Sequence, residues 1–173
     1  MYLSISKKDA HTSALMGADT VKLCEMQGFP PRLDNKNQSR VEANIQGFKA
    51  EFVIARLFNL DLPTINILSD GGIDLWHGNT SIDVKFTNKE EGPLVFDTLD
   101  KFRADVAILV GATSNPNVFK VNGWSDKKYF SLNAQACDFG YGPRLKLEAH
   151  ETKPIETLWR CFMIEKFGNF NDH

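Results

Sequence analysis

The sequence predicts an α/β fold, a central mixed β-sheet flanked by helices. Three observations lead there. Apolar residues recur at helical spacing at both ends of the chain and again at 39–58. Short alternating or β-branched runs fill the middle. The two kinds of segment follow one another in an order that sets helices against strands. With 173 residues, 42% of them hydrophobic, and thirteen Phe, the chain forms one domain able to bury a proper core.

Each element has its own reason. Residues 9–26 read as a helix with Ala14, Ala18, Val21 and Cys24 or Glu25 near one face. Gly28, Pro30 and Pro31 end it, and the polar run to Gln38 is a loop. A second helix at 39–58 carries Val41, Ile45, Phe48, Phe52 and Ala55 as one stripe, and Ser39 with Glu42 resembles a capping box. Asn44, Gly47 and Glu51 lie along one edge of that stripe. Gly costs about 1 kcal/mol inside a helix relative to Ala, so Gly47 is expected to let the helix approach the sheet and deliver Glu51 there. Residues 65–68 form a further strand, and 105–111 the clearest buried one. Residues 117–124 alternate and pair with it across 114–116. A short helical turn follows at 125–130, then an edge strand at 145–147. The chain ends in an amphipathic helix at 154–167 that starts at Pro154 and turns Leu158, Phe162 and Phe167 toward the core.

The chemistry concentrates at 71–86. Gly71-Gly72-Ile73-Asp74-Leu75-Trp76 and Ser81-Ile82-Asp83-Val84-Lys85-Phe86 read as two strands joined through a tight turn at His77-Gly78-Asn79-Thr80. A turn centred on Gly78-Asn79 sets Asp74 opposite Asp83. Alternation then puts Asp74, Asp83 and Lys85 on one face, and Ile73, Leu75, Ile82, Val84 and Phe86 on the other. Carboxylates opposed at about 5 Å between Cβ atoms destabilise a hairpin, and a divalent cation is the simplest compensation. An isolated acid on a hairpin is ordinarily a solvated group. Here a second acid faces it, Lys85 follows on the same face, and Glu51 arrives from the helix upstream.

Glu51, Asp74 and Asp83-Val84-Lys85, in that order, resemble the PD-(D/E)XK nucleases with their restriction-endonuclease-like fold. Gly47-Phe48-Lys49-Ala50-Glu51 looks like the family's first helix, while Ile73 stands where the motif carries Pro. The resemblance covers about 39–130, with the helices at 9–26 and 154–168 as additions to that core. It implies a metal-dependent DNA nuclease, an endonuclease before an exonuclease, with a non-catalytic nucleic-acid- or protein-binding module as the alternative. It also implies Mg²⁺, replaceable by Mn²⁺, held by Asp74 and Asp83 with the Val84 carbonyl as a third ligand. Glu51 would act through water or at a second metal position. Lys85 would orient or deprotonate the attacking water, or stabilise the developing charge.

DNA is the expected partner, and a homodimer is an assembly compatible with it. The net charge of −2 does not favour DNA, since affinity comes mainly from phosphate neutralisation. Basic residues nevertheless recur after the motif: Lys85, Lys89, Lys101, Arg103, Lys120, Lys127, Lys128, Arg144 and Lys146, as a groove or a dispersed surface. No run is long enough to span a membrane, no signal-peptide core begins the chain, and Cys24, Cys137 and Cys161 read as reduced core residues; a cytoplasmic protein is expected. His77 reads as a turn residue. Trp76 could stack on a base, but a partly buried structural role is the favoured reading.

Overall fold

A computed structural model describes residues 1–28, 39–65, 72–140 and 142–167, of which 165–167 by backbone alone. Strand β1 (Tyr2–Ser4) leads into helix α1 (Lys7–Met26), which Ser6 starts by accepting the Asp9 N–H. The buried side of α1 is Asp9, Ser13, Gly17 and Val21, one position round from the expected Ala14 and Ala18. The reason is proximity to the next helix. A Cβ on Gly17 would lie 2.5 Å from Ile45 Cγ1 and 2.7 Å from the Ile45 nitrogen, so small residues line this contact. Asp9 is tolerated there because Arg56 donates to both its oxygens, from Nε at 3.1 Å and Nη2 at 2.9 Å.

Helix α2 (Arg40–Phe58) begins as expected, with the Ser39 hydroxyl accepting the Glu42 N–H, and ends at Asn59 in the left-handed region, φ 53°. Burial is confined to its second half, at Ala50, Phe52, Val53, Ile54, Ala55 and Phe58. Val41 is exposed and Ile45 and Phe48 are half-buried, so the expected stripe reaches the core only at Phe52 and Ala55. That half meets both the sheet and Ile5. Gly47 is no close-approach point: a Cβ there meets nothing within 4 Å among the described residues.

The remaining strands are β2 (Leu75–His77), β3 (Thr80–Thr87), β4 (Leu94–Phe96), β5 (Val106–Ala112), β6 (Val118–Asp126), β7 (Gln135–Asp138) and β8 (Pro143–Leu147). Helix α3 (Lys127–Asn133) starts where Asp126 accepts the Tyr129 N–H, and α4 (Ile155–Phe167) follows Pro154. The five-stranded sheet runs β1-β6-β5-β3-β2, with β3 and β5 parallel and the other pairs antiparallel. This is the mixed sheet the sequence predicts. A second antiparallel sheet, β4-β8-β7, puts β8 in its centre, which corrects the edge strand expected at 145–147.

The mixed sheet buries both faces. Ile82, Val84, Val106, Ile108 and Val110 pack against α2 and against Leu158 and Phe162 of α4. From the other face Ala107 and Leu109 pack with Leu94, Phe96, Phe102, Phe130 and Leu147. Alternation along β3 therefore sends Asp83 and Lys85 toward the second sheet. The cysteines are free thiols but not core residues: Cys24 and Cys137 are half-buried and Cys161 is exposed. Of the strand expected at 65–68, Ile65 is non-strand and the rest lies outside the described residues, as does the Phe167 side chain. No described helix is long and apolar enough to cross a membrane.

Candidate active site

The hairpin forms in the expected register. Leu75 pairs with Ile82, Trp76 with Ser81 and His77 with Thr80, leaving Gly78 (φ 56°) and Asn79 as a two-residue turn. Beyond Leu75 the ladder departs from the expected Asp74–Asp83 pair. The Asp74 N–H donates to the Ile82 carbonyl at 2.8 Å, and the Val84 N–H donates to Asp74 Oδ2 at 2.7 Å. The Asp74 side chain thus takes the place of a main-chain acceptor at the edge of β3. Standard backbone dimensions then put Asp74 Oδ2 within about 5 Å of the Asp83 Cα. The acids are neighbours, by a route other than direct cross-strand opposition.

Asp83 is 1% exposed, and burying a carboxylate is costly unless it is paired. Lys85, two residues on and on the same face, places its Nζ 2.8 Å from Asp83 Oδ1. The same ammonium lies 5.1 Å from the centre of the Phe96 ring. Gly72 (φ 85°) passes close by: a Cβ on it would lie 3.8 Å from Asp83 Oδ2. The N–H and C=O of a strand residue leave on the same side, so the Val84 carbonyl points toward Asp74, past the end of the β2 ladder.

These donors suit a hard cation. Mg²⁺ commonly takes one or two carboxylates and completes its shell with water and substrate phosphate, and Asp74, Asp83 and the Val84 carbonyl offer oxygen only. Glu51 comes from the helix side of the sheet. Among the described residues no three Asp, Glu, His or Cys side chains are grouped so as to hold an ion. Glu51 is half-buried on α2, which packs on the Ile82 and Val84 face, whereas Asp83 and Lys85 project from the opposite one.

Around this centre the fold adds groups that sequence reading did not single out. Ser81 donates to Asp105 Oδ2 from both its N–H (2.8 Å) and its hydroxyl (2.6 Å), and accepts the Asp105 N–H at 2.9 Å. Those bonds hold the Asp105 carboxyl below its ordinary range and fasten β3 to the start of β5. The only sequence signal was an acid at a strand start. The basic residues divide. Lys120, Arg144 and Lys146 pair with Glu91, Asp97 and Glu148. Lys101 and Arg103 enter β5, and Lys127 and Lys128 leave β6, so register brings these four exposed cations to the end of the sheet that carries Ser81 and Asp83.

Trp76 corrects the favoured expectation: it is 56% exposed. His77 is the last residue of β2 and not a turn residue: it pairs with Thr80, and its ring stacks on Phe162 with centroids 4.0 Å apart. Trp124 is structural, its indole N–H shared between the Pro154 carbonyl and the Thr157 hydroxyl.

Neither a family model, nor a curated protein, nor a solved structure matches this chain.

Proposed function

We propose that the protein is a Mg²⁺-dependent deoxyribonuclease, an endonuclease of the PD-(D/E)XK kind, with Asp74, Asp83 and Lys85 at its centre. The observation that carries this reading is the Lys85 ammonium 2.8 Å from a buried Asp83, beside an Asp74 anchored to the intervening Val84. A solvated hairpin face has no need to bury an acid, pair it, and fasten a second acid beside it.

Asp83, Asp74 and the Val84 carbonyl would hold the ion, which supplies charge relief to a phosphoryl oxygen and acidifies a bound water. Asp74 is fixed in orientation by its bond from Val84, so its remaining oxygen, Oδ1, is directed without reorganisation. Lys85, one-third exposed, can turn its ammonium from Asp83 to an entering phosphate or to the attacking water. Glu51 acts through water. A reducing, cytoplasmic setting goes with this reading, because the three cysteines are free thiols.

The test is incubation of the purified protein with supercoiled, linear, single-stranded and branched DNA, with Mg²⁺, Mn²⁺ or EDTA. Nicking or linearisation of supercoiled DNA with either metal and none with EDTA is expected. Cleavage that begins only at ends would make the enzyme an exonuclease, and binding without cleavage under every metal would mark a binding module.

A further inference from the structure

We propose that Trp76 is a stacking platform for an unpaired base, so that the site takes DNA with a single-stranded segment. This rests on the reading of Asp83 and Lys85 as the place where the phosphodiester lies. Leu75 is 3% exposed and faces the α2 side of the sheet, so Trp76, the next residue along β2, projects from the face of Asp83 and Lys85. It sits directly opposite Ser81, which makes it the diagonal neighbour of Asp83, at about 7–8 Å. That separation suits a phosphate at one residue and an adjoining base at the other.

Among the described residues nothing asks for an indole there. Trp76 belongs to neither apolar cluster, is 56% exposed, and faces a small Ser across the hairpin. Bases inside a duplex are stacked on one another and offer no face to such a ring, whereas an unpaired base does.

The charge pattern fits the same ligand. From β2 to β6 is three strand spacings, about 14 Å. Beyond Trp76 along that line come Lys101 and Arg103, then Lys127 and Lys128, all exposed. Among the described residues none of the four is in an ion pair. The acids nearby are largely engaged: Asp105 holds Ser81, and Asp126 holds Lys153 and the first turn of α3. Asp100 remains exposed in the same loop. A cationic track beside an exposed aromatic ring is how a single strand is held without sequence preference.

The experiment uses labelled oligonucleotides of one length as single strand, blunt duplex and duplex with a single-stranded overhang. Their binding is followed by anisotropy at fixed salt in EDTA. Proteins are the wild type, Trp76→Ala, Trp76→Phe, and Trp159→Ala as a control, since Trp159 is 55% exposed but lies on α4. Thermal melts establish that each variant is folded. Trp76→Ala should weaken single-strand and overhang binding about five- to 150-fold, the range expected for one stacked base. Its ratio of single-strand to duplex affinity should fall by the same factor. Trp76→Phe should stay within about threefold of wild type, and Trp159→Ala should not move the ratio. An unchanged ratio in Trp76→Ala overturns the inference, and so does a change of oligomeric state showing that a second copy covers the ring. DNA cleavage with no Trp76 dependence refutes this inference alone. Trp76-dependent binding with no cleavage under any metal refutes the nuclease reading alone.

Discussion

The Lys85 ammonium stands 2.8 Å from Asp83 Oδ1, yet the two side chains differ in their access to water, 36% against 1% exposed. That asymmetry fixes an order of stabilities. Lys85→Ala removes the counter-charge 2.8 Å from a carboxylate that cannot reach solvent and should cost about 3–5 kcal/mol. Asp83→Ala leaves a lysine that can, and should cost roughly 1–2 kcal/mol, well below that range. Carboxylate repulsion alone would make Asp83→Ala the more stable protein; the pairing with Lys85 reverses the sign. Urea unfolding of both variants without divalent ions measures the order, and a more stable Asp83→Ala protein would contradict it.

The two helical glycines should respond oppositely to alanine. Gly17→Ala drives a methyl against the Ile45 backbone, which cannot yield, and should destabilise by about 1–3 kcal/mol. Gly47→Ala enters space that is open among the described residues and should stabilise by up to about 1 kcal/mol through helix propensity. Thermal melts of the two variants decide the matter, and matching effects of one sign would refute the packing account.

How much of this was legible depends on whether a feature is local. The hairpin register follows from Gly78-Asn79 and alternation as far as Leu75, the α2 start from Ser39, and the buried strand from the run at 105–111. The second sheet was not foreseen, because Leu94–Phe96 and Gln135–Asp138 are too short to show a period and pair only through distant chain. Hydrophobic periodicity misplaces the buried face of α1 because close helix contact selects Ser13 and Gly17, which carry no hydrophobic signal. At the site, the neighbourhood of Asp74, Asp83 and Lys85 was readable. The ladder break that turns Asp74 onto the Val84 N–H was not, nor was the face of the sheet that α2, and Glu51 with it, covers.

Acid should weaken the α1–α2 contact through Asp9. The Arg56 guanidinium holds the Asp9 carboxyl below its ordinary range. A group whose folded value is depressed adds stability that is complete above its unfolded value, about 3.9, and is lost as pH falls through the folded value. Asp9→Asn should therefore be less stable than wild type at neutral pH, with the gap closing as pH drops from about 5 toward 2. Urea midpoints across that range test this, and the shared low carboxyls such as Asp105 cancel in the difference. A gap that widens in acid would be the wrong sign.

Phe52 reports on the core and not on the chemistry. It is 2% exposed, so Phe52→Ala should cost on the order of 3–5 kcal/mol. The folded fraction that remains should still cut DNA, as equilibrium unfolding and activity measured on one sample would show.

The most direct test is single-turnover cleavage of DNA in Mg²⁺ by wild type, Asp83→Ala and Lys85→Ala, with binding measured at the same salt and temperature, where all three are folded. The account predicts that Lys85→Ala keeps most of its DNA affinity and cuts roughly two to four orders of magnitude more slowly, and that Asp83→Ala does not cut. Lys85→Arg should rescue poorly, because guanidinium stays protonated and its planar fork suits a water-directing role badly. Equal losses of binding and rate would reduce Lys85 to a phosphate contact. Cleavage at the wild-type rate by Asp83→Ala would contradict the account outright.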